Sequence, residues 1–181
     1  KVMHEIGDRP MLHWVVDACR TAGAKRIDEL ARELVSADPA AEYIPPYEHE
    51  LLWTGHSSII DELADVGERP GAVVASVGGG GLLNGLFLGL GRHGWDDVRV
   101  ISAETDGANC FAAAVAAGEP VKLDAITSVA TSLGALQCSP TTVRLSREHP
   151  TDVCTVSDAE AVAACSLLLD EHRLLVEPAC G

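Results

Sequence analysis

The sequence predicts an α/β fold, a three-layer arrangement in which helices cover both faces of a parallel sheet. Two short runs are almost entirely apolar, 72–77 and 98–103, as is typical of strands buried on both faces. Stretches with the apolar spacing of helices lie around them, notably 57–66 and 82–92. Strands that alternate with helices in this order favour a parallel sheet joined by crossover helices.

The first elements follow from local periodicity and from the residues that stop it. Apolar spacing predicts a helix over 28–35. Residues 43–44 are predicted to form a short strand, which two prolines end. The next helix is predicted over 57–66, so His56 is expected to cap its N-terminus rather than to take part in catalysis.

Two later helices carry clear end signals. A helix of small residues is predicted over 109–117 and ends at Gly118. Another helix begins after Ser157, with Glu160 near the capping-box position, and runs to about His172. Both helices have the lengths that are usual in globular domains.

Composition narrows the classes of function and partner. The chain carries 27 acidic and 13 basic side chains, a net charge of −14, which argues against nucleic acid and anionic membranes as partners. No apolar run is long enough to span a bilayer. The six cysteines lack C-x-x-C spacing, and residues 149–152 form a predicted loop without metal-ligand spacing, so reduced thiols in a cytoplasmic protein are expected. Cys180, after a proline at a predicted helix start, is expected to be a buried thiol rather than an activated one.

Four consecutive glycines follow the first apolar strand and precede an apolar helix. Without a Cβ the backbone can approach a ligand closely, and its N–H groups together with the helix N-terminus form a site for an anion such as phosphate. The stretch fits neither the G-x-G-x-x-G dinucleotide loop nor the P-loop, which ends in Gly-Lys-Ser/Thr. A small phosphorylated ligand held by backbone is therefore predicted, with a plain turn as the alternative. The glycines are Gly78, Gly79, Gly80 and Gly81.

The residues around the glycines point to a family. The stretch 76–85, Ser-Val-Gly-Gly-Gly-Gly-Leu-Leu-Asn-Gly, resembles the phosphate loop of pyridoxal-phosphate enzymes of the tryptophan-synthase-β fold type, also called fold type II. Within that group the chain is similar to the L-serine dehydratase (L-serine ammonia-lyase) and threonine dehydratase branch. The resemblance covers about 28–181. The stretches that agree in order and spacing are 43–47, 53–63, 103–108, 126–130 and 175–181.

This resemblance implies β-elimination and deamination of L-serine to a 2-oxo acid and ammonia, with pyridoxal 5'-phosphate as cofactor and L-threonine as a second substrate. In such enzymes the cofactor acts as an electron sink, and the protein supplies binding and orientation. The implied partners are a small amino acid as substrate and a second copy of the chain in a homodimer. By the same resemblance, the backbone that holds the phosphate belongs to Gly78, Gly79, Gly80, Gly81 and Leu82.

A monovalent cation, K⁺, is implied as well. The family places a glutamate that matches Glu104 near this ion, and the carbonyls of Gly78, Ala108, Leu133 and Ala135 match its other ligands. Oxygen-only coordination suits a hard cation. For Glu104 the alternative is a solvated carboxylate at the end of a strand.

No catalytic residue is assigned, because the Schiff-base lysine of the family has no counterpart in this sequence. The family carries it in a Ser-x-Lys-x-Arg-Gly type of stretch, whereas Lys1, Lys25 and Lys122 have no such context. A Ser-Ser-Gly-Asn type of segment, which binds the substrate carboxylate, is also missing. We therefore expect a partial dehydratase domain, without the lysine segment and the C-terminal strand, that is inactive alone. The alternative is a non-catalytic chimera that keeps only the phosphate-binding scaffold.

Residues 1–27 resemble a different family. They are similar to a segment of N-acetylglucosamine-1-phosphate uridylyltransferase, in which a lysine that matches Lys1 lies near the nucleotide. Nucleotidyl transfer is not expected, because the glycine-rich nucleotide loop of that family is not in the sequence. We predict two parts, a nucleotidyltransferase-like graft or extension over 1–27 and the dehydratase-like part over 28–181. For the first part a generic amphipathic helix is the alternative.

Overall fold

The computed structural model describes residues 5–6, 9–10, 27–41, 43 and 45–181. The chain divides into two units, Lys1–Ile44 and Pro45–Gly181. The described elements of the first unit are the antiparallel strands β1 (Glu5–Ile6) and β2 (Arg9–Pro10) and helix α1 (Ile27–Ala37). Most of the predicted nucleotidyltransferase-like segment lies outside the described residues.

Helix α1 confirms the predicted helix over 28–35, but the strand expected at 43–44 is wrong for Tyr43, which lies in no regular element. Ile44 lies outside the described residues. The Tyr43 hydroxyl accepts a hydrogen bond from Arg32 (Nη2 to Oη 3.2 Å), whose guanidinium carbon is 4.2 Å from the ring centroid. The ring thus packs on α1 through a cation–π contact, and the prolines that follow cannot donate to a sheet.

The second unit is a three-stranded parallel sheet with helices packed on it. The strands, in their order across the sheet, are β3 (Ala72–Ser76), β4 (Arg99–Thr105) and β5 (Thr151–Val156). The helices are α2 (Glu50–Val66), α3 (Gly81–Arg92), α4 (Cys110–Ala117), α5 (Pro140–Glu148) and α6 (Asp158–Leu167). Within the described residues, no helix combines the length and the apolar character needed to cross a bilayer. This architecture confirms the predicted α/β class.

The core lies between the sheet and helices α2 to α5, where Ile60 and Phe111 are fully buried. On the other face of the sheet, Ala161 of α6 and Ala103 of β4 line one small cavity, so helices lie on both faces. The cover of this second face is incomplete among the described residues, because Val74 of β3 is 66% exposed. The apolar run that predicted β3 is therefore only partly buried, with every residue of the strand intermediate or exposed.

Strand β5 begins at Thr151, so the interpretation of 149–152 as a loop is wrong from that residue on. Asp152 lies opposite Ile101 in the sheet, and its carboxylate accepts two hydrogen bonds from Arg99, at 2.9 and 2.8 Å. Cross-strand pairs of opposite charge stabilise a sheet, which offsets the low strand propensity of aspartate. That partner is 53 residues away in sequence and gave no local signal.

Helices α2 and α3 pack closely because two glycines of α3 face α2. A Cβ on Gly85 would lie 2.4 Å from Cβ of His56, and one on Gly89 would lie 2.6 Å from Cβ of Ile60. Neither position has room for a side chain. This close approach places the start of α3 beside His56.

Helix α2 begins at Glu50, seven residues before the predicted start, and His56 lies inside it. The N-cap is His49, whose Nδ1 accepts a hydrogen bond from the N–H of Leu51 (3.2 Å). Gly55, which suggested a helix start, has open space around its Cα and is tolerated within the helix. The capping role expected for His56 is therefore wrong.

The predicted ends of the later helices are confirmed. Gly118 follows α4 with φ of +78° and donates its N–H to the carbonyl of Ala114 (2.8 Å). At the start of α6, Ser157 and Glu160 form the full capping box. The chain continues from α6 into a single π-helical turn that ends at His172, which is the predicted end of the helix.

Candidate cofactor site

The four glycines form the turn from β3 to α3, at the carboxyl edge of the parallel sheet. Val77, which precedes them, is buried and donates its N–H to the carbonyl of Ala103 (3.0 Å), so the end of the strand is fixed. Gly80 has φ of +97°, a left-handed conformation that glycine adopts without strain, and is the N-cap of α3. Ligands of parallel α/β sheets bind at this edge.

Helix α5 and the residue before it hold the loop carbonyls from one side. Ser139 donates its N–H to the carbonyl of Gly79 (2.9 Å), and the Thr142 hydroxyl donates to the carbonyl of Gly80 (3.4 Å). In a trans peptide the C=O and the next N–H point in opposite directions. The N–H groups that follow these two carbonyls therefore point away from α5.

The N–H groups of the loop are the donors available to bind an anion. From Gly78 to Leu82, none of them has a hydrogen-bond partner among the residues that the structure describes. Gly81 and Leu82 are the first residues of α3, where every helix leaves N–H groups unpaired, and Gly78 to Gly80 extend that run of free donors back into the loop. The first turn of α3 adds the positive end of its helix dipole. The arrangement suits an anion with several oxygens, such as phosphate.

Neighbouring groups, rather than a need for flexibility, require glycine in this loop. A Cβ on Gly79 would lie 2.1 Å from the ring of Tyr47, and one on Gly80 would lie 2.1 Å from Oγ1 of Thr142. A Cβ on Gly81 would lie 3.0 Å from Cα of Tyr47. The loop is thus packed against fixed groups, which a merely flexible turn does not need.

Tyr47 is itself held at both ends. Its hydroxyl donates to the carbonyl of Gln137 (3.0 Å), and its own carbonyl accepts from the indole N–H of Trp53 (2.7 Å). The ring is therefore fixed over Gly79 as part of the site.

The loop faces a cavity of about 500 Å³, within the range of small-molecule sites. A second wall is the 3₁₀ turn Thr131–Leu133 with the two residues that follow, called here the 131–135 wall. Gly78 contacts this wall, since a Cβ on it would lie 3.2 Å from Cα of Leu133. No lysine or arginine of the described residues lines the cavity. The lining comprises Pro46, Tyr47, His56, residues 76–83 and residues 131–135.

Glu104 ends β4 inside the protein, with 1% of its surface exposed. Its carboxylate accepts hydrogen bonds from the N–H groups of Phe111 (2.9 Å) and Ala112 (2.7 Å) in the first turn of α4. Burial raises the pKa of Glu104 to about 7, although these two N–H donors act to lower it. The alternative of a solvated strand-end carboxylate is therefore wrong.

The residues predicted to bind K⁺ lie near one another. Leu133 contacts Gly78, shares an apolar cluster with Ala108, and lines with Glu104 a cavity of about 40 Å³. A water molecule needs about 10–15 Å³ of such space. Ala135 follows in the same turn and donates its N–H to the carbonyl of Leu133 (2.7 Å). No group of three or more His, Cys, Asp or Glu side chains in the described residues could hold a metal, so an ion here would rely on carbonyls.

The cysteines near the site differ in exposure. Cys110 and Cys138 are buried free thiols, and Cys110 donates a weak hydrogen bond to the carbonyl of Gly78 (3.5 Å). The neighbouring Cys138 and burial raise the pKa of Cys110. Cys180 is exposed, so its prediction as a buried thiol is wrong; it lies in a turn, with its N–H on the carbonyl of Glu177 (2.9 Å).

Three contributors to the site were missed by sequence reasoning, namely Tyr47, His56 and Thr142. His56 lines the cavity with Nδ1 at 3.3 Å from the carbonyl of Gly81. Thr142 lies in α5, which was not predicted. The dipeptide Ser139-Pro140 was a usable signal for that helix, because serine at the N-cap and proline at the first helical position are a common start.

Fold and loop together are those of an α/β domain with a glycine turn suited to an anion at the carboxyl edge of its parallel sheet. Comparison of sequences identifies the family: the profile of pyridoxal-phosphate dependent enzymes matches residues 11–181, and the chain belongs to that family. The residues present fit the cofactor, because the unpaired N–H groups and the packed glycines form a cradle for its phosphate.

Individual relatives agree with this family. L-serine dehydratase/L-threonine deaminase of Homo sapiens is 49% identical over 154 residues, which are 84% of this chain and 47% of that protein. L-serine dehydratase of Dictyostelium discoideum is 38% identical over 77% of this chain and 42% of that protein. The chain spans about half the length of the curated relatives it matches.

Solved structures agree as well. A fungal L-serine ammonia-lyase from Rhizomucor miehei superimposes with a TM-score of 0.72 and 42% identity, over 76% of this chain and 44% of that one. The threonine deaminase of T.th. gives a TM-score of 0.76 and 28% identity, over 89% of this chain and 58% of that one. The fold is that of the pyridoxal-phosphate enzymes of fold type II, as the sequence predicted.

Proposed function

We propose that this chain supplies the phosphate-binding part of a pyridoxal-phosphate dependent dehydratase that converts L-serine, and L-threonine, to a 2-oxo acid and ammonia. The observation that carries the proposal is the run of unpaired N–H groups from Gly78 to Leu82, in a loop whose neighbours exclude side chains. The names of the relatives that are 45–49% identical supply the substrate class.

Bound pyridoxal phosphate supplies an electron sink that makes loss of the α-proton and of the β-hydroxyl of the substrate accessible. The chain's own residues bind and orient. Gly78 to Leu82 hold the phosphate through N–H groups and the dipole of α3, without a cationic side chain. Tyr47 and the 131–135 wall bound the space beside the loop and limit the water in it.

No lysine of the described residues lines the cavity, where a Schiff-base lysine would take up the α-proton. Lys122 is exposed and does not line the cavity, and Lys1 and Lys25 lie outside the described residues. We therefore expect the 181-residue chain to bind the cofactor without turnover. The lack of a lysine at the cavity among the described residues equally favours the second candidate, a non-catalytic chimeric scaffold. The two candidates differ because the scaffold predicts no activity in any longer protein that contains the chain.

We also propose a K⁺ site at Gly78, Glu104, Ala108, Leu133 and Ala135. Its support is the buried carboxylate of Glu104 beside a small cavity that Leu133 also lines, where backbone carbonyl oxygens would be the other ligands. A cytoplasmic homodimer completes the proposal and rests on the family resemblance and the acidic, reduced-thiol composition.

Binding of pyridoxine 5'-phosphate tests the phosphate site. This probe carries the cofactor's phosphate but no aldehyde, so it cannot form a Schiff base with a lysine. Binding is followed by the change in tryptophan fluorescence, because Trp53 bonds Tyr47 at the site. Gly79→Val is expected to abolish binding, because the side chain meets the Tyr47 ring. Gly71→Val is the matched control, since Gly71 has open space around it and precedes the same strand. Equal affinity for wild type and Gly79→Val contradicts the site.

Turnover is tested separately. With pyridoxal phosphate and serine, the 181-residue chain should release no pyruvate. A lysine-linked cofactor adduct after borohydride reduction, together with steady pyruvate formation, contradicts the expectation of binding without turnover. Pyruvate formation by a longer protein that contains this chain would distinguish the dehydratase from the non-catalytic scaffold.

A further inference from the structure

The 131–135 wall is built mostly from hydrogen bonds within itself. Leu133 donates to the carbonyl of Ala130 (3.0 Å), Gly134 to that of Thr131 (3.0 Å), and Ala135 to that of Leu133. Such short turns set the shape of the wall but not its place in the molecule. Its place depends on anchors to other segments: within the wall the Ser132 hydroxyl donates to Glu177 (2.7 Å), and the residues just before the wall bond to the sheet and to α6.

The strongest polar anchor immediately before the wall is Ser128, which is 6% exposed. Its Oγ lies 2.6 Å from an oxygen of Asp158, 2.6 Å from Oγ1 of Thr105, and 3.0 Å from the N–H of Ala130. A carboxylate can only accept, so the single hydroxyl proton of Ser128 goes to Asp158. Thr105 must then donate to Ser128, whose two lone pairs are filled by Thr105 and Ala130. All hydrogen-bonding capacity of this hydroxyl is used.

Asp158 holds the same segment twice. One oxygen accepts from the Ser128 hydroxyl, and the other accepts from the N–H of Val129 (3.0 Å). Asp158 is the first residue of α6, where the helix dipole favours a negative charge. The carboxylate is thus fixed to a helix on one side and to the base of the wall on the other. Hydrogen bonds to a charged acceptor are stronger than neutral ones.

We propose that Asp158 is a positioning residue of the cofactor site, which acts through the Ser128 hydroxyl and the Val129 N–H to hold the 131–135 wall against the glycine loop. The wall touches the glycine loop through the contact between Gly78 and Leu133, so the position of the wall affects the geometry of the phosphate cradle. This inference rests on the proposed cofactor site. Without the anchor the wall keeps its internal turns but samples other positions, so part of the binding free energy goes into ordering it.

Two measurements on the 181-residue chain test this role. Hydrogen exchange reports on the amides of 129–135, and titration with pyridoxine 5'-phosphate reports on the cradle. Asp158→Asn is expected to speed exchange of those amides about tenfold and to weaken the probe by a similar factor, the order expected for a hydrogen bond to a charged group. The reason is that asparagine offers one acceptor oxygen where aspartate offers two, so either the Ser128 hydroxyl or the Val129 N–H loses its acceptor.

The control is Glu160→Gln, in the same turn of α6 and with the same change of charge. Glu160 accepts hydrogen bonds from the N–H and hydroxyl of Ser157 and does not contact the wall. The Glu160→Gln variant should lower the midpoint of thermal unfolding as Asp158→Asn does, and it should leave both the hydrogen exchange of the wall and the affinity for the probe unchanged. Ser128→Ala should also speed wall exchange and weaken the probe, and the double variant should show less than the sum of the two single effects, because Ser128 and Asp158 share a hydrogen bond.

The outcomes are distinguishable. If Asp158→Asn changes only the thermal midpoint, like Glu160→Gln, the positioning role is wrong. Additive effects of Ser128→Ala and Asp158→Asn contradict action through Ser128. If wild type does not bind the probe, the proposed cofactor site is wrong, and the exchange comparison still decides whether Asp158 holds the wall.

Discussion

The buried carboxylate of Glu104 predicts how stability depends on pH. Its pKa is about 7 in the folded protein and 4.5 in the reference state. A carboxyl whose pKa is raised by folding contributes stability that is fully present below the unfolded pKa and is lost as pH rises through the folded one. The difference between 4.5 and 7 corresponds to about 3 kcal/mol. The free energy of unfolding should therefore fall by about that amount between about pH 4.5 and 7.5 through this group alone.

The assay is urea unfolding at about pH 5, 6, 7 and 8, for wild type and Glu104→Gln, in tetramethylammonium chloride. The glutamine variant cannot titrate, so the difference between the two proteins isolates Glu104. Glu160 does not interfere, because its hydrogen bonds to Ser157 lower its pKa and place its titration below this range. If both proteins lose stability with the same dependence on pH, the raised pKa of Glu104 is refuted.

Potassium chloride at the same ionic strength tests the proposed cation. An ion that binds next to the ionised carboxylate lowers its pKa, so wild type should lose less stability above about pH 6 in KCl, while Glu104→Gln should respond little. At a hundred times the dissociation constant, binding adds about 3 kcal/mol. Identical slopes in both salts contradict the K⁺ site and leave the burial argument intact.

Two further predictions follow from single contacts. Tyr47→Phe loses the hydrogen bond to the Gln137 carbonyl and should lower the free energy of unfolding by about 1 kcal/mol, while affinity for pyridoxine 5'-phosphate is kept because the ring remains over the loop; a large loss of affinity contradicts this. Cys180 should react rapidly with a disulfide reagent such as DTNB, whereas Cys110 and Cys138 react only after unfolding. Cys180→Ser should therefore remove one fast thiol, and an unchanged fast count refutes its exposure.

The parts of the fold that the sequence predicted have local causes. The Ser157 capping box and Gly118 after α4 satisfy helix ends through residues at most four positions away, so their signals lie within one window. The glycine loop is likewise recognisable from sequence, because a run of glycines between an apolar strand and an apolar helix is typical of a turn that binds an anion. Its identification came from this pattern and from the resemblance of the residues around it.

The parts that were wrong depend either on distant partners or on an uncommon local cap. Asp152 in β5 is paired with the Arg99 side chain of the neighbouring strand, and the start of α2 is set by the His49 side chain rather than by Gly55. Cys180 was expected to be buried from its place after a proline at a helix start, yet it lies in an exposed turn. The outcomes for Asp152 and Cys180 require knowledge of which surface another segment covers, whereas the His49 cap is a local contact with Leu51 that was missed because histidine is not among the preferred N-cap residues.

The candidate site shows the same division within a single loop. The sequence identifies four glycines, but it does not say which way their peptides face. That direction follows from Ser139 and from Thr142, which is 62 residues beyond Gly80 and holds its carbonyl. Because those carbonyls are held on one side, the N–H groups that follow point to the other. The surface proposed to bind phosphate is therefore determined largely by residues behind the loop, whose contacts with the glycines are not visible in the local sequence pattern.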